Sequence, residues 1–149
     1  MAWFEGTHAQ SLVLNAGIDA AKAHFANLAT IAANTGDLES HQVEGDVLHF
    51  VLKAQDHAGV VKFQGDYRCR YTLEGDTLRW TPTGGNVQQS GEARFKALPD
   101  GKTALDYTET VKVDMDVPAL MAPMLAPLIG PMLAHEVKGY VGRMAASLR

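Results

Sequence analysis

Glu109 is the residue of this chain whose position asks for a chemical explanation. In the run LDYTETVKV (residues 105–113), Leu105, Tyr107, Val111 and Val113 occupy one set of alternate positions, and Asp106, Thr108, Thr110 and Lys112 the other. A strand has a side-chain period of two, so Glu109 falls on the apolar face, between Tyr107 and Val111. A carboxylate among apolar groups needs a hydrogen-bond partner or a raised pKa, because burial penalises its charged form. Gln89 shares the inward parity of the preceding strand and could supply that partner. Two readings stay open: Glu109 is a polar anchor in a ligand cavity, or a bulge or strand end turns it to water. If the site is catalytic, Glu109 with Tyr107 or Tyr67 is the candidate proton-transfer set.

Other familiar chemistries find little support. The six histidines, at 8, 24, 41, 49, 57 and 135, include no HxxxH or HxH pair, and there is one cysteine, so no metal site is expected. The eight-residue recurrence of His41, His49 and His57 is interrupted by turns and reads as coincidence, and His49 points outward on its strand. GxSxG, Walker A and GxGxxG patterns are absent. Cys69 lies inward among aromatics and reads as an inert buried thiol.

These residues are carried by a recognisable series of elements. A first strand is expected over residues 7–15, and a helical patch over 18–34, as one helix or two short ones, ended by Gly36. Alternating strands follow at 38–44, 47–55, 60–73, 77–83, 86–98 and 103–115, separated by short turns rich in Gly, Asn and Asp. Six consecutive strands joined this way form an antiparallel meander. Its inward positions include Leu48, Phe50, Leu52, Phe63, Gly65, Tyr67, Cys69, Tyr71, Leu73, Leu78, Trp80, Val87, Gly91, Ala93 and Phe95. Past Pro131 the chain is helical, with Leu133, Val137, Tyr140, Val141, Met144 and Leu148 on one face.

Between strands and tail lies VPALMAPMLAPLIGPMLA (residues 117–134), uncharged and carrying prolines at 118, 123, 127 and 131. Each proline inside a helix removes a donor and crowds the carbonyl four residues back, so the segment is expected to bend. A membrane span is disfavoured, since the length only just reaches the lower limit. A lid over the sheet is favoured instead. Wound helically, Met121, Leu125, Leu128 and Met132 would share a face opposite the later prolines, either as plain core or as the adaptable wall of an apolar pocket.

Composition sets outer bounds. The chain has 149 residues, 46% hydrophobic and 20% charged, with a formal net charge of −4. One domain spanning residues 1–149 is expected. No basic run suggests nucleic acid as partner. A lone cysteine and no secretory pattern fit a cytoplasmic protein. The polar outer sheet face suits a monomer or weak homodimer without integral membrane association.

The order of strand, short helices, six-strand meander and C-terminal helix resembles the START-like (SRPBCC, helix-grip) superfamily, which includes polyketide cyclase/dehydrase-type proteins. The opening strand with the 18–34 helical pair, YRCRYTL (67–73), GEARF (91–95) and VDMDVPALMAPML (113–125) carry the likeness, which extends over the whole chain as pattern and order. It implies an α+β fold, a seven-stranded curved antiparallel sheet around a long C-terminal helix with an apolar cavity between them. It also implies binding or carriage of a lipid, polyketide or similar molecule without a cofactor, or cyclase/dehydratase chemistry in the same cavity. The residues expected to line that cavity are Phe50, Phe63, Tyr67, Tyr71, Trp80, Phe95, Tyr107, Glu109, Met121, Leu125, Leu128 and Met132. A third reading makes the 117–134 segment a docking surface for a membrane or a partner protein.

Overall fold

In a computed structural model, which describes residues 2–57 and 61–148, the alternating segments form one seven-stranded antiparallel sheet. The strands are β1 (Ala2–Leu14), β2 (Leu38–Glu44), β3 (Val47–Leu52), β6 (Asp66–Glu74), β7 (Thr77–Gly85), β8 (Val87–Ala97) and β9 (Thr103–Met115). Their order is β1-β9-β8-β7-β6-β3-β2, the anticipated meander closed by the first strand pairing with the last. Two short strands, β4 (Gln55–His57) and β5 (Val61–Phe63), pair only with each other. The expected strands 47–55 and 60–73 are therefore each broken, and a small hairpin leaves the sheet between them. Part of the expected 56–59 turn and the strand start at Val60 lie outside the described residues.

The opening strand begins earlier than the sequence suggested. Phe4 and Gly6 continue the inward parity, and pairing runs in unbroken register from Ala2 opposite Met115 to Leu14 opposite Thr103. The helical patch is two helices, α1 (Ile18–Ala26) and α2 (Leu28–Asn34). Asn27 separates them and caps α2, its side chain accepting from the Thr30 N–H at 3.0 Å. The left-handed residue after α2 is Asp37, with φ of 58°, rather than Gly36.

The 117–134 segment does not break. After a 3-10 turn (Ala119–Met121), α3 runs as one helix from Ala122 to Ser147 through Pro127 and Pro131. Pro123 sits in the first turn, where a missing donor costs nothing. Pro123, Pro127 and Pro131 are exposed, so the carbonyls deprived of partners lie on a face that water can reach. The opposite face is the core: Leu125, Ile129, Leu133, Val137, Val141 and Met144 are buried. By length and composition alone α3 could cross a membrane, but this face packs on the sheet. The closest approach is at Gly6, whose missing side chain admits the backbone of Gly130 and Ala134.

The inner side of the sheet and this face of α3 enclose a single core that also takes in Phe25 and Ile31 from the short helices. Leu73, expected inside, is 41% exposed near the end of β6. The outer side carries exposed ion pairs such as Arg68–Glu44 and Arg70–Asp46.

Candidate functional site

Strand β9 runs beneath α3 with every odd residue from Thr103 to Met115 buried. Glu109 is among them at 6% exposure, which settles its orientation: it points inward, without a bulge. Its cross-strand neighbours are Gly91 on β8 and His8 on β1. Gly91 contributes no side chain, and the Trp80 indole occupies the space over it. Trp80 in turn lies against the ring of Tyr107, centroids 5.1 Å apart, and that of Tyr71, 6.1 Å apart.

The Tyr107 hydroxyl donates to Oε1 of Glu109 at 2.5 Å. Burial pushes the Glu109 carboxyl up to about 7, with the Tyr107 hydrogen bond pulling weakly the other way. Because Oε1 already accepts, a proton on this carboxyl resides on Oε2. Gln89 does not supply the partner: it faces inward, but its Nε2 donates to the Tyr67 hydroxyl oxygen at 3.4 Å. The Tyr67 ring stacks on Phe50 with centroids 4.7 Å apart. Burial and the nearby Glu109 and Cys69 hold the Tyr67 phenol well above its usual range. Tyr71, Tyr107 and Tyr140 are raised as well, burial being the first cause in each. Cys69 is fully buried, and burial pushes its thiol up to about 12.

Between this wall and α3 is a cavity of about 350 Å³, within the size range of small-molecule sites. Its sides come from β3 (Phe50, Leu52), β6 (Tyr67, Tyr71), β8 (Val87, Gln89), β9 (Glu109, Val111, Val113, Met115) and α3 (Met132, Leu133, Val137, Tyr140). Its mouth lies among exposed Asp37, Lys53, Asp56 and Glu136. Six of the twelve residues expected on the wall are there: Phe50, Phe63, Tyr67, Tyr71, Glu109 and Met132. Trp80, Phe95 and Tyr107 are buried in the layer behind it. Met121, Leu125 and Leu128 are elsewhere. Leu125 is core under the first turns of α3, Met121 is half-buried, and Leu128 is 61% exposed.

The helical side of the cavity therefore lies later in the chain than the expected Met121, Leu125 and Leu128. The segment that lines the cavity is the second half of the helix, where Leu133, Val137 and Tyr140 already stood out as one amphipathic face. Gly130 pressed against β1 explains the shift, because it fixes where α3 meets the sheet and leaves the proline-rich turns beyond the cavity.

Among the described residues, His24, His49 and His8 have polar partners. His24 Nε2 is 3.0 Å from both the Met144 carbonyl oxygen and Ser147 Oγ. His49 turns outward as expected, with its Nε2 2.6 Å from Asp66 Oδ1. His8 faces inward with its Nε2 2.6 Å from Gln10 Oε1. Among the described residues, no three His, Cys, Asp or Glu side chains are grouped to hold a metal ion.

No protein-family model and no curated protein sequence matches this chain. Solved structures do match in shape. An aromatase/cyclase, Zhui, from a Streptomyces species superposes with a TM-score of 0.69 at 12% identity, over 97% of this chain and 93% of that one. A START superfamily protein from Mycobacterium smegmatis gives 0.63 at 15% identity, over 96% and 99%. A conserved protein from Geobacillus kaustophilus gives 0.65 at 18% identity, over 97% and 95%. At these identities the likeness speaks to architecture: the chain has the helix-grip fold of the START-like superfamily.

Proposed function

We propose that this protein binds and carries an apolar small molecule, a lipid, a polyketide or a compound of similar character, in the cavity between the sheet and α3. The observation that carries this reading is a cavity of about 350 Å³ between the sheet and α3, bounded by an otherwise packed core. Interiors normally pack to crystal density, so a void of this size calls for an occupant. Its walls are aliphatic and aromatic, and Glu109, Tyr67 and Gln89 supply the few polar groups that would orient a ligand. The lone reduced cysteine fits a cytoplasmic carrier, and the ion-paired outer sheet face fits a monomer or weak homodimer.

Native mass spectrometry of protein purified from its own host, together with a thermal-shift panel of lipids and polyketides, tests the reading. An extra bound mass or a rise in melting temperature with a panel member is expected, since saturation at about 100 times Kd stabilises by about 2.7 kcal/mol. Neither bound mass nor shift with any member contradicts it.

A second reading is an aromatase/cyclase-type enzyme. The specific observation favouring it is the Glu109–Tyr107 pair, a carboxyl near neutral pKa at the cavity wall, suited to general acid–base work. The cavity would fold a poly-ketone chain, and most of the rate would come from orientation. Glu109→Gln must then abolish turnover of candidate polyketides; unchanged turnover removes Glu109 as the base.

A further inference from the structure

We propose that the cavity selects ligands whose polar end is a protonated nitrogen and excludes those ending in a carboxylate; this rests on the carrier reading above. Glu109 is 94% buried, and among the described residues only its Oε1 has a hydrogen-bond partner, leaving Oε2 for whatever enters. From β6, Tyr67 and Tyr71 face this region; from β8, Gln89; from α3, Tyr140; none of these is a cation. Tyr71, Tyr67 and Phe50 line it with aromatic surface, which favours cations over anions.

Among the described residues, basic groups stand at a distance or are engaged elsewhere. His8, the cross-strand neighbour of Glu109 on β1, is turned to Gln10 and lies outside the cavity wall. Among the described residues Lys53 is the one basic residue on the wall, and it stands at the mouth among Asp37, Asp56 and Glu136. Arg143, beyond Tyr140 on α3, donates its Nε–H to the Asn34 carbonyl at 2.8 Å. A carboxylate ligand would thus meet a second carboxyl with no counter-charge. An ammonium group supplies the missing one, and charge-assisted hydrogen bonds are the strong ones. Binding of the cation leaves Glu109 ionised, so a proton that was on Oε2 passes to solvent as the complex forms.

The test uses one apolar body with three heads: decylamine, decanol and decanoate, each below its micelle concentration, titrated calorimetrically between pH 5.5 and 7.5. Over this range the amine stays charged, so any pH dependence of its binding belongs to the protein. Decylamine should bind at least about tenfold more tightly than decanol at pH 7.5, as expected for a hydrogen bond to a charged group, with decanoate weakest. Its affinity should rise with pH as Glu109 loses its proton, and buffers of different ionisation enthalpy should report proton release. Glu109→Gln should erase the amine preference and the pH dependence. Equal affinity for the three heads, or preference for decanoate, overturns the head-group assignment and leaves the carrier reading standing. A pH dependence that survives Glu109→Gln places the titrating group elsewhere and overturns it too. Binding of none of the three contradicts both.

Discussion

Tyr107 and Glu109 sit two residues apart on the same buried face of β9, and the phenol donates to the carboxyl at 2.5 Å. The pair puts a titratable group inside the protein at a point where it governs stability, ligand orientation and any acid–base chemistry together.

The first consequence is a pH dependence of stability. The folded-state carboxyl of Glu109 is raised to about 7 by burial, above its value in the unfolded chain. Between those two values the folded protein holds a proton that the unfolded chain has lost, so this group makes stability fall as pH rises from about 4.5 to about 7. The full effect is about 3 kcal/mol. Glu109→Gln, which keeps an acceptor for Tyr107, should flatten the decline and leave the variant more stable than the parent at pH 8. Urea melts at several pH values check this; an undiminished slope in the variant contradicts it.

Cys69 should behave as an inert thiol. It is fully buried and burial pushes its thiol up to about 12, so at neutral pH it is neither accessible nor ionised. A chromogenic disulfide reagent should label it only after denaturant is added. Rapid labelling of the native protein contradicts the placement.

Neighbouring residues on α3 should respond in opposite ways. Ile129 is 1% exposed and Leu128 61%, so Ile129→Ala should cost about 2–5 kcal/mol and Leu128→Ala about 0.5 kcal/mol or less. Denaturant melts of the two variants measure the phase of the helix directly, and equal losses would mean the phase is wrong.

Glycines on either side of the core make a similar contrast. A side chain at Gly6 would strike the Gly130 carbonyl oxygen and press on Ala134 N at 2.9 Å. Gly6→Ala should therefore cost about 1–3 kcal/mol or more. Gly142 on α3 has open space around it, and Gly142→Ala should stabilise by about 0.4–1 kcal/mol. A tolerated Gly6→Ala would mean α3 does not cross β1 there.

Much of this arrangement was legible in the sequence because it follows from periodicity. The inward parity of 105–113 placed Glu109 beside Tyr107, and the short Gly- and Asp-rich turns defined the meander. The spacing of Leu133, Val137, Val141 and Met144 gave the buried side of the last helix. What escaped depends on tertiary contacts. Continuity of α3 through Pro127 and Pro131 requires that their bare carbonyls face water, which only the packed structure decides. The departure of β4 and β5 from the sheet leaves no mark in alternation, since both halves of each broken strand look alike. The cavity wall was misplaced by two to three turns because the uncharged stretch is the most apolar part of the chain, while the true wall includes Glu136 and Tyr140.

The central claim, that an apolar molecule is held between the sheet and the second half of α3, is tested most directly by an amide and methyl NMR titration with a nonpolar probe such as decanol. The account predicts saturable shifts centred on Phe50, Tyr67, Val111, Val113, Leu133 and Val137. Shifts confined to the exposed row of Leu120, Met124 and Leu128, with the interior unmoved, would contradict it.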